Sequence, residues 1–252
     1  MITLLYHLRR TLSWCSPRKR WRVLSRNVKA WARFWGRFYQ YSKMVSPAER
    51  PGFKRLSPCI HDDTGTTEIE PIYFYQDNWA FKKIVEMRPI SHVDIGSHHK
   101  FIALLSFVVP TTMVDIRPLS LPVPRLSFRE GTILRLPFAD GSCPSVSSIC
   151  VIEHIGLGRY GDPLDPDGTV KAAVELKRVL QPGGDLYISV PIERRTEVHF
   201  DANRVFTEPD LLALFQELEL VESRYIYGNE FTDQLRQDRG GVGCYHFRRS
   251  GT

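Results

Sequence analysis

Short apolar segments alternate with helix-like patterns over residues 75–252, and this alternation predicts a mixed α/β domain. Buried strands are predicted at His92–Ile95, Thr111–Ile116, Leu126–Phe128, Ser145–Ile152 and Leu186–Val190. Helices are predicted from Asp77 or Asn78 to Met87, after Gly96 through Leu105, over Asp167–Leu180 and from Pro209 through Leu218. Leu220–Tyr227 and Val242–Arg248 then form an antiparallel hairpin with a long loop. We therefore expect a mostly parallel sheet with an antiparallel C-terminal edge.

Two features of the pattern mark breaks. Arg117–Leu126 contains Pro118, Pro122 and Pro124, so a short extended crossover replaces a helix there. The sequence Gln181-Pro-Gly-Gly184 ends the long helix.

Residues 1–45 form a separate arm with a different pattern. Large apolar residues recur at helical spacing, and basic residues occupy the other faces. The apolar set is Trp21, Leu24, Val28, Trp31, Trp35 and Phe38, and the basic set is Arg22, Arg26, Lys29, Arg33 and Arg37. The arm is therefore predicted to be a basic, tryptophan-rich amphipathic helix.

The charge of the chain is concentrated in this arm. Residues 1–48 hold eleven Lys and Arg and no acid, so the other residues carry −5 of a total of +6. Such a helix can lie on an anionic membrane surface, or dock on its own domain, on a protein partner or on a second copy in a homodimer. The acidic remainder argues against nucleic acid.

Residues 46–74 are predicted to be an irregular linker to the domain at 75–252. His61, Asp62 and Asp63 within it are typical of a turn, and no metal site is predicted. Five widely spaced cysteines suggest neither a disulfide framework nor a zinc site. Without a signal-like N-terminus or a long apolar run, we expect a cytoplasmic protein, held peripherally at the inner face of the membrane if the helix binds lipid.

Acids stand at the ends of the first two predicted strands. Asp94 is followed two positions later by Gly96, and Asp115 lies 21 positions after Asp94. A similar spacing separates the first turn of a nucleotide-binding βαβ unit from the acid that receives ribose hydroxyls. The order of these residues predicts a Rossmann-like cofactor pocket.

The run also resembles the class I S-adenosylmethionine-dependent methyltransferases. The matching pieces are VDIGS, VDIRP, LPFADGSCPSVSSICVIEHIG and LKRVLQPGGDLYISVP. GLGRYGDPLDPDG and HFDANRVF resemble an uncharacterised domain-of-unknown-function branch of that superfamily, some members of which accompany bacterial surface-polysaccharide genes. The resemblance implies the class I methyltransferase fold and S-adenosylmethionine as cofactor.

The resemblance assigns cofactor contacts residue by residue. Gly96 would admit the aminocarboxypropyl group, with Ser97 beside it, and Asp94 would meet its amino group. Asp115 would bind the ribose, and Thr132 and Ile133 would lie near the adenine. His98 and Lys100 stand where further glycines are usual. Lys100 would pair with the cofactor carboxylate, whereas His98 could obstruct the pocket of an inactive relative.

Catalytic and acceptor residues are expected after the fourth strand. His154 is the predicted base, although a helix-cap or core histidine explains it equally well. The predicted acceptor-binding residues are Arg159, Tyr160, Asp162, Asn203 and Arg204.

Three functions remain open on the sequence. The first is methyl transfer to a small-molecule or sugar-type acceptor in surface-polysaccharide biosynthesis. The second is a non-catalytic methyltransferase-like module that acts as a scaffold in glycan assembly. The third, a nicotinamide-dependent enzyme, lacks its G-x-G-x-x-G motif.

Overall fold

A computed structural model describes residues 17–251, with side chains from residue 24 onward. The chain divides into two units, residues 1–68 and 69–252. The helices are α1 (Pro17–Met44), α2 (Pro71–Met87), α3 (His99–Leu105), α4 (Gly168–Val179) and α5 (Glu208–Leu214). The strands are β1 (His92–Ile95), β2 (Thr111–Asp115), β3 (Leu126–Glu130), β4 (Cys143–Ile149), β5 (Leu180–Ile192), β6 (Glu197–His199), β7 (Asn203–Val205), β8 (Glu219–Tyr227), β9 (Glu230–Thr232) and β10 (Gly241–Arg248).

In the first unit, α1 presents an apolar stripe to solvent. Its members are Leu24, Val28, Trp31, Trp35 and Tyr39, and each is at least 42% exposed. Asp63 pairs with Arg33 and Arg37 and so ties the following segment to the helix. Residues 17–44 of the predicted arm are helical, and the side chains of Trp21 and Arg22 lie outside the described residues, so the amphipathic pattern of the whole arm stays a prediction. Within residues 17–251, no helix combines the length and apolar character needed to cross a bilayer.

The second unit is built on one eight-stranded sheet in the order β3-β2-β1-β4-β5-β10-β8-β9. The first five strands of this order are parallel, and β10 runs antiparallel to both β5 and β8. Strand order reverses between β1 and β4, which creates a topological switch point at the carboxyl ends of these strands. The predicted mostly parallel sheet with an antiparallel C-terminal edge is confirmed.

Helices cover both faces of this sheet. On one face, α4 and α5 bury Leu176, Leu211 and neighbouring residues against the strands. On the other face, α2 and α3 bury Trp79, Ile102 and their neighbours. The resulting three layers hold the carboxyl ends of the parallel strands in fixed positions, because close-packed interiors resist deformation.

The start of α2 differs from the sequence prediction, and the difference matters for the site. Glu70, not Asp77 or Asn78, caps the helix, since its carboxylate accepts a hydrogen bond from the Tyr73 N–H at 2.7 Å. Pro71 occupies the first turn, where its missing N–H costs nothing. The predicted cap is wrong because an earlier acid and a proline supply a better start. Asp77 is thereby placed inside the helix, near the sheet.

Other element boundaries also differ from the predicted ones. Helix α5 ends at Leu214 and not at Leu218. Helix α4 ends at Val179, one residue before the predicted end, and the Pro-Gly-Gly turn lies within β5, where the pairing with β4 jumps from Cys143–Leu180 to Ser145–Asp185. The glycines form this irregularity because one of them, Gly183, has a φ of +75°.

Candidate active site

A cavity of about 630 Å³ lies at the switch point. The segments that follow β1, β2, β3 and β4 all contribute to its wall, and Tyr73 of α2 closes one side. Ligands of open α/β sheets bind at this location. Of the predicted site residues, the wall includes Gly96, Ser97, Lys100, Asp115, Thr132, Ile133, His154, Tyr160 and Asp162.

Gly96 forms a sharp turn at the end of β1. Its φ is +69°, and an added Cβ would lie 3.2 Å from a methyl group of Val151 and 4.0 Å from an oxygen of Asp115. A side chain at this position would therefore enter the space between β1, β2 and the segment after β4. The absence of one leaves room for a ligand to approach the backbone.

Asp115 ends β2 with its carboxylate on the cavity wall. Its Oδ1 accepts a hydrogen bond from the backbone N–H of Arg117 at 2.8 Å, and the Arg117 Nε lies 3.4 Å away. Its Oδ2 has no hydrogen-bond donor in the described part of the chain. One carboxylate oxygen is thus fixed, while the other is available to a ligand that offers hydroxyl groups.

Asp94 lies beneath the cavity and not on its wall. Its oxygens accept hydrogen bonds from the Ser147 hydroxyl at 2.6 Å and the Ser97 N–H at 3.1 Å. Burial, partly opposed by these hydrogen bonds, raises the pKa of Asp94 to about 7. Asp94 therefore supports Ser97, and its direct contact with a cofactor stays a prediction.

A buried polar chain continues below Asp94. The His92 ring bonds to Ser147 through Nε2 at 2.9 Å and to Ser145 through Nδ1 at 2.8 Å. Burial lowers the pKa of His92 to about 3, so the ring is neutral. Since the Ser147 hydroxyl donates its hydrogen bond to Asp94, it accepts one from the ring Nε2–H, which fixes the tautomer and links β1 to β4.

His154 stands in the 3₁₀ turn Ile152–His154 directly after β4. Its Nδ1 lies 2.7 Å from the carbonyl oxygen of Ala202, which makes Nδ1 the protonated nitrogen. Burial lowers the pKa of His154, with smaller opposing effects from that carbonyl. The ring is therefore neutral at neutral pH, with the lone pair on Nε2. This is the state that a general base requires.

Tyr160 and Asp162 belong to the glycine-containing loop after this turn. The Tyr160 ring packs edge-on against His154, and the guanidinium groups of Arg117 and Arg159 lie 4.5 and 5.1 Å from its centroid. Asp162 accepts a hydrogen bond from the Gly156 N–H at 2.6 Å. The loop is thereby held beside His154 and joined to the end of β2.

Three predicted acceptor residues lie outside the cavity wall. Arg204 is 7% exposed, and its guanidinium bonds to the carbonyl oxygens of Ile155, Asp165 and Pro166. Arg159 donates to the Ala202 carbonyl at 2.9 Å, and Asn203 bonds to the carbonyl of Arg204. These residues hold the loop and the β6–β7 hairpin in the described structure, and their contact with an acceptor stays a prediction.

Sequence reasoning missed a polar face on α2. Tyr73 lines the cavity, and Gln76 accepts hydrogen bonds from the Cys150 thiol at 3.1 Å and the Ser189 hydroxyl at 2.9 Å. Asp77 lies next along this face, and its carboxylate is 3.9 Å from the His98 ring. The signal was present as polar residues at helical spacing beside buried Trp79 and Ala80, which the assignment of Asp77 as a cap concealed.

Comparison with known proteins supports the fold. Residues 141–239 match the family described as "Caenorhabditis protein of unknown function, DUF268". No curated protein sequence matches the chain.

Solved structures match over most of the second unit. The N-methyltransferase NodS from Bradyrhizobium japonicum is 16% identical, with 75% of this chain and 99% of NodS covered and a TM-score of 0.53. The Burkholderia thailandensis 1,6-didemethyltoxoflavin-N1-methyltransferase, solved with S-adenosylhomocysteine, is 16% identical over 74% of this chain and 93% of its own, with a TM-score of 0.50. The [4+2]-cyclase SpnF is 13% identical, with 70% of this chain and 82% of SpnF covered and a TM-score of 0.52. The chain has the class I methyltransferase fold, as its sequence predicted.

Proposed function

We propose that this chain binds S-adenosylmethionine and transfers its methyl group to a small-molecule acceptor. The observation that carries the proposal is the pairing of Gly96 and Asp115 across one cavity at the switch point. Similar folds solved with S-adenosylhomocysteine support the same cofactor.

The residues present fit this cofactor. The open space beside the Gly96 backbone suits the aminocarboxypropyl chain. Lys100 on the same loop offers a cation for the carboxylate of that chain. The unpartnered Asp115 oxygen suits the ribose hydroxyls, and Thr132 and Ile133 would flank the adenine. The bound cofactor supplies an electrophilic methyl group on a sulfonium sulfur.

The protein's own task is to position the acceptor and to remove a proton. His154 lines the cavity, and its Nε2 carries a lone pair because the Ala202 carbonyl keeps the proton on Nδ1. Tyr160, whose ring contacts the guanidinium groups of Arg117 and Arg159, would shield the reacting groups from water. A fixed base beside a bound acceptor lowers the barrier through orientation and proton transfer.

Two observations bear on the alternative functions. A non-catalytic module predicts an occluded pocket, whereas His98 lines the wall of an open cavity of about 630 Å³. The likeness to a [4+2]-cyclase means that the fold alone does not determine the reaction. Methyl transfer is preferred because the site offers a neutral base. A sugar-type acceptor and a role in polysaccharide biosynthesis stay predictions.

Calorimetric titration of S-adenosylhomocysteine into the full chain tests the proposal. We expect micromolar binding. Gly96→Ala should weaken this binding at least about tenfold, because the alanine Cβ would occupy the space beside the backbone that the ligand needs. Gly183→Ala is the matched control, since Gly183 has a φ of +75°, lies outside the cavity wall and has no atom near its Cβ position. Each alanine should cost about 1 kcal/mol of stability through its left-handed backbone. Equal affinities of the two variants, or no binding to the wild type, would contradict the proposal.

We further propose that α1 binds an anionic membrane surface. Its exposed stripe presents Trp31 and Trp35 beside Arg26, Lys29 and other basic residues, and residues 17–44 contain no acid. Indoles partition to the headgroup region, while cations attract anionic lipids.

Vesicle cosedimentation tests this second proposal. The full chain should bind vesicles that contain phosphatidylserine, and binding should weaken with salt. The double substitution Trp31→Ala and Trp35→Ala should reduce binding about tenfold or more through lost apolar burial. Tyr41→Ala, which removes an exposed aromatic side chain away from the stripe, should have little effect. A self-association that the double variant abolishes, without any vesicle binding, would instead identify a homodimer interface.

A further inference from the structure

Two carboxyl groups at the α2 side of the cavity have no cationic partner. Asp77 and Glu153 each have one buried side-chain oxygen without a hydrogen bond. The nearest basic group to Asp77 is His98, at 3.9 Å, and the nearest to Glu153 is His154, at 3.7 Å. Burial lowers the pKa of both histidines, so neither supplies a positive charge at neutral pH.

Other acids of low exposure in the described chain have donors or cations. Asp185 pairs with His246 and Arg248, and Glu175 pairs with Arg178. Buried acids are ordinarily stabilised in this way. Asp77 and Glu153 differ from these acids because neither has a cationic partner: burial is opposed chiefly by hydrogen bonding from Gln76 at Asp77, and from the backbone and Cys150 at Glu153.

Four cavity residues connect these acids to the ligand space. Tyr73, His98, Cys150 and His154 line the cavity, and the two acids lie directly behind the histidines. The Tyr73 and His98 rings are 5.5 Å apart, and Gln76 joins Cys150 to α2. The wall itself is neutral, with acidic groups behind it. When a bound cation causes these acids to ionise, the field of a carboxylate behind a low-dielectric wall extends into the cavity.

We propose that this part of the cavity selects an acceptor that carries an amine, whose positive charge is the counter-charge that Asp77 and Glu153 lack. This inference rests on the proposed methyl transfer and names its substrate class. A neutral alcohol would not supply the counter-charge. Burial raises the pKa of Asp77 to about 6 and of Glu153 to about 8, so a bound cation would also displace protons from these groups.

The groups on the cavity wall are sufficient for methyl transfer to an amine. The bound ammonium loses one proton to Nε2 of His154, and the nitrogen lone pair forms a bond to the methyl carbon. The bond from that carbon to sulfur breaks, and its electron pair remains on sulfur, which becomes a neutral thioether. The positive charge passes from sulfur to the methylated nitrogen. Asp77 and Glu153 would stabilise this charge as it develops.

Calorimetry on the full chain saturated with S-adenosylhomocysteine tests the inference without relying on turnover. The probes are ethanolamine and ethylene glycol, which differ by an amine in place of a hydroxyl group. Ethanolamine should bind at least about tenfold more tightly and should release protons, detected by comparing buffers of different ionisation enthalpy. The double substitution Asp77→Asn and Glu153→Gln should abolish both effects. Glu86→Gln, an exposed acid on the same helix, is the control.

Three results would overturn the inference. Equal binding of the two probes, or unchanged preference in the double variant, would show that the acids do not select an amine. Weaker binding of S-adenosylmethionine, but not of S-adenosylhomocysteine, to the double variant would assign the acids to the cofactor's sulfonium. If S-adenosylhomocysteine itself fails to bind the wild type, the proposed function fails first. Retained S-adenosylhomocysteine binding shows that the variants are folded.

Discussion

Asp115→Ala should abolish calorimetrically detectable binding of S-adenosylhomocysteine, a loss of about 100-fold or more. The physical reason is that one oxygen of Asp115 is fixed by Arg117, so the other faces the cavity at no further cost in ordering. A carboxylate that accepts hydrogen bonds from two hydroxyl groups in a partly buried site forms strong, charge-assisted hydrogen bonds. Removing it leaves the ribose hydroxyls without acceptors.

Glu130→Ala is the matched control for this substitution. Glu130 ends β3 just as Asp115 ends β2, but Glu130 is exposed and does not line the cavity. Its removal should leave the affinity within about twofold, as expected for an exposed residue without a ligand contact. Equal losses in both variants would mean that the strand ends, and not the ribose contact, determine binding. Undiminished affinity of Asp115→Ala would exclude the assigned cofactor orientation.

The sequence was sufficient for the features that depend on local spacing. Asp94, Gly96 and Asp115 could be placed because parallel strands bring their carboxyl ends to one edge of the sheet. The short proline-rich crossover after Asp115 was also predictable, since proline excludes a helix interior. These inferences needed only the period of the pattern and the chemistry of single residues.

Features that depend on distant contacts could not be predicted. Arg204 is predicted to bind the acceptor from its position after β5, but its hydrogen bonds to carbonyls of the loop after β4 could not be predicted. The burial of Asp77 could not be predicted either, because it depends on how α2 packs on β10 and its neighbours. The tautomer of His154 depends on Ala202, 48 positions away. In each case the partner is close in space and far along the chain.

Glu153→Gln should make the protein progressively more stable relative to wild type as pH rises from 5 to 8. Burial raises the pKa of Glu153 to about 8 from an ordinary value of 4.5. Over this interval the unfolded chain loses the proton and the folded chain keeps it, so the wild type loses stability by at most about 1.4 kcal/mol per pH unit from this group. Glutamine has no such proton to lose, and it keeps a similar shape. Urea unfolding of both proteins at several pH values measures the difference.

Glu175→Gln provides a control of opposite sign. The Arg178 guanidinium beside Glu175 holds the pKa of that carboxyl below its ordinary value. Its stabilisation is therefore present above the unfolded pKa of 4.5 and is lost as pH falls through the folded pKa. The loss of stability that Glu175→Gln causes relative to wild type should shrink only at acid pH. The gain in stability that Glu153→Gln causes should grow toward alkaline pH. A Glu153→Gln difference that is constant between pH 5 and 8 would mean that Glu153 is ionised in the folded protein, already balanced by a positive charge that its histidine neighbour supplies.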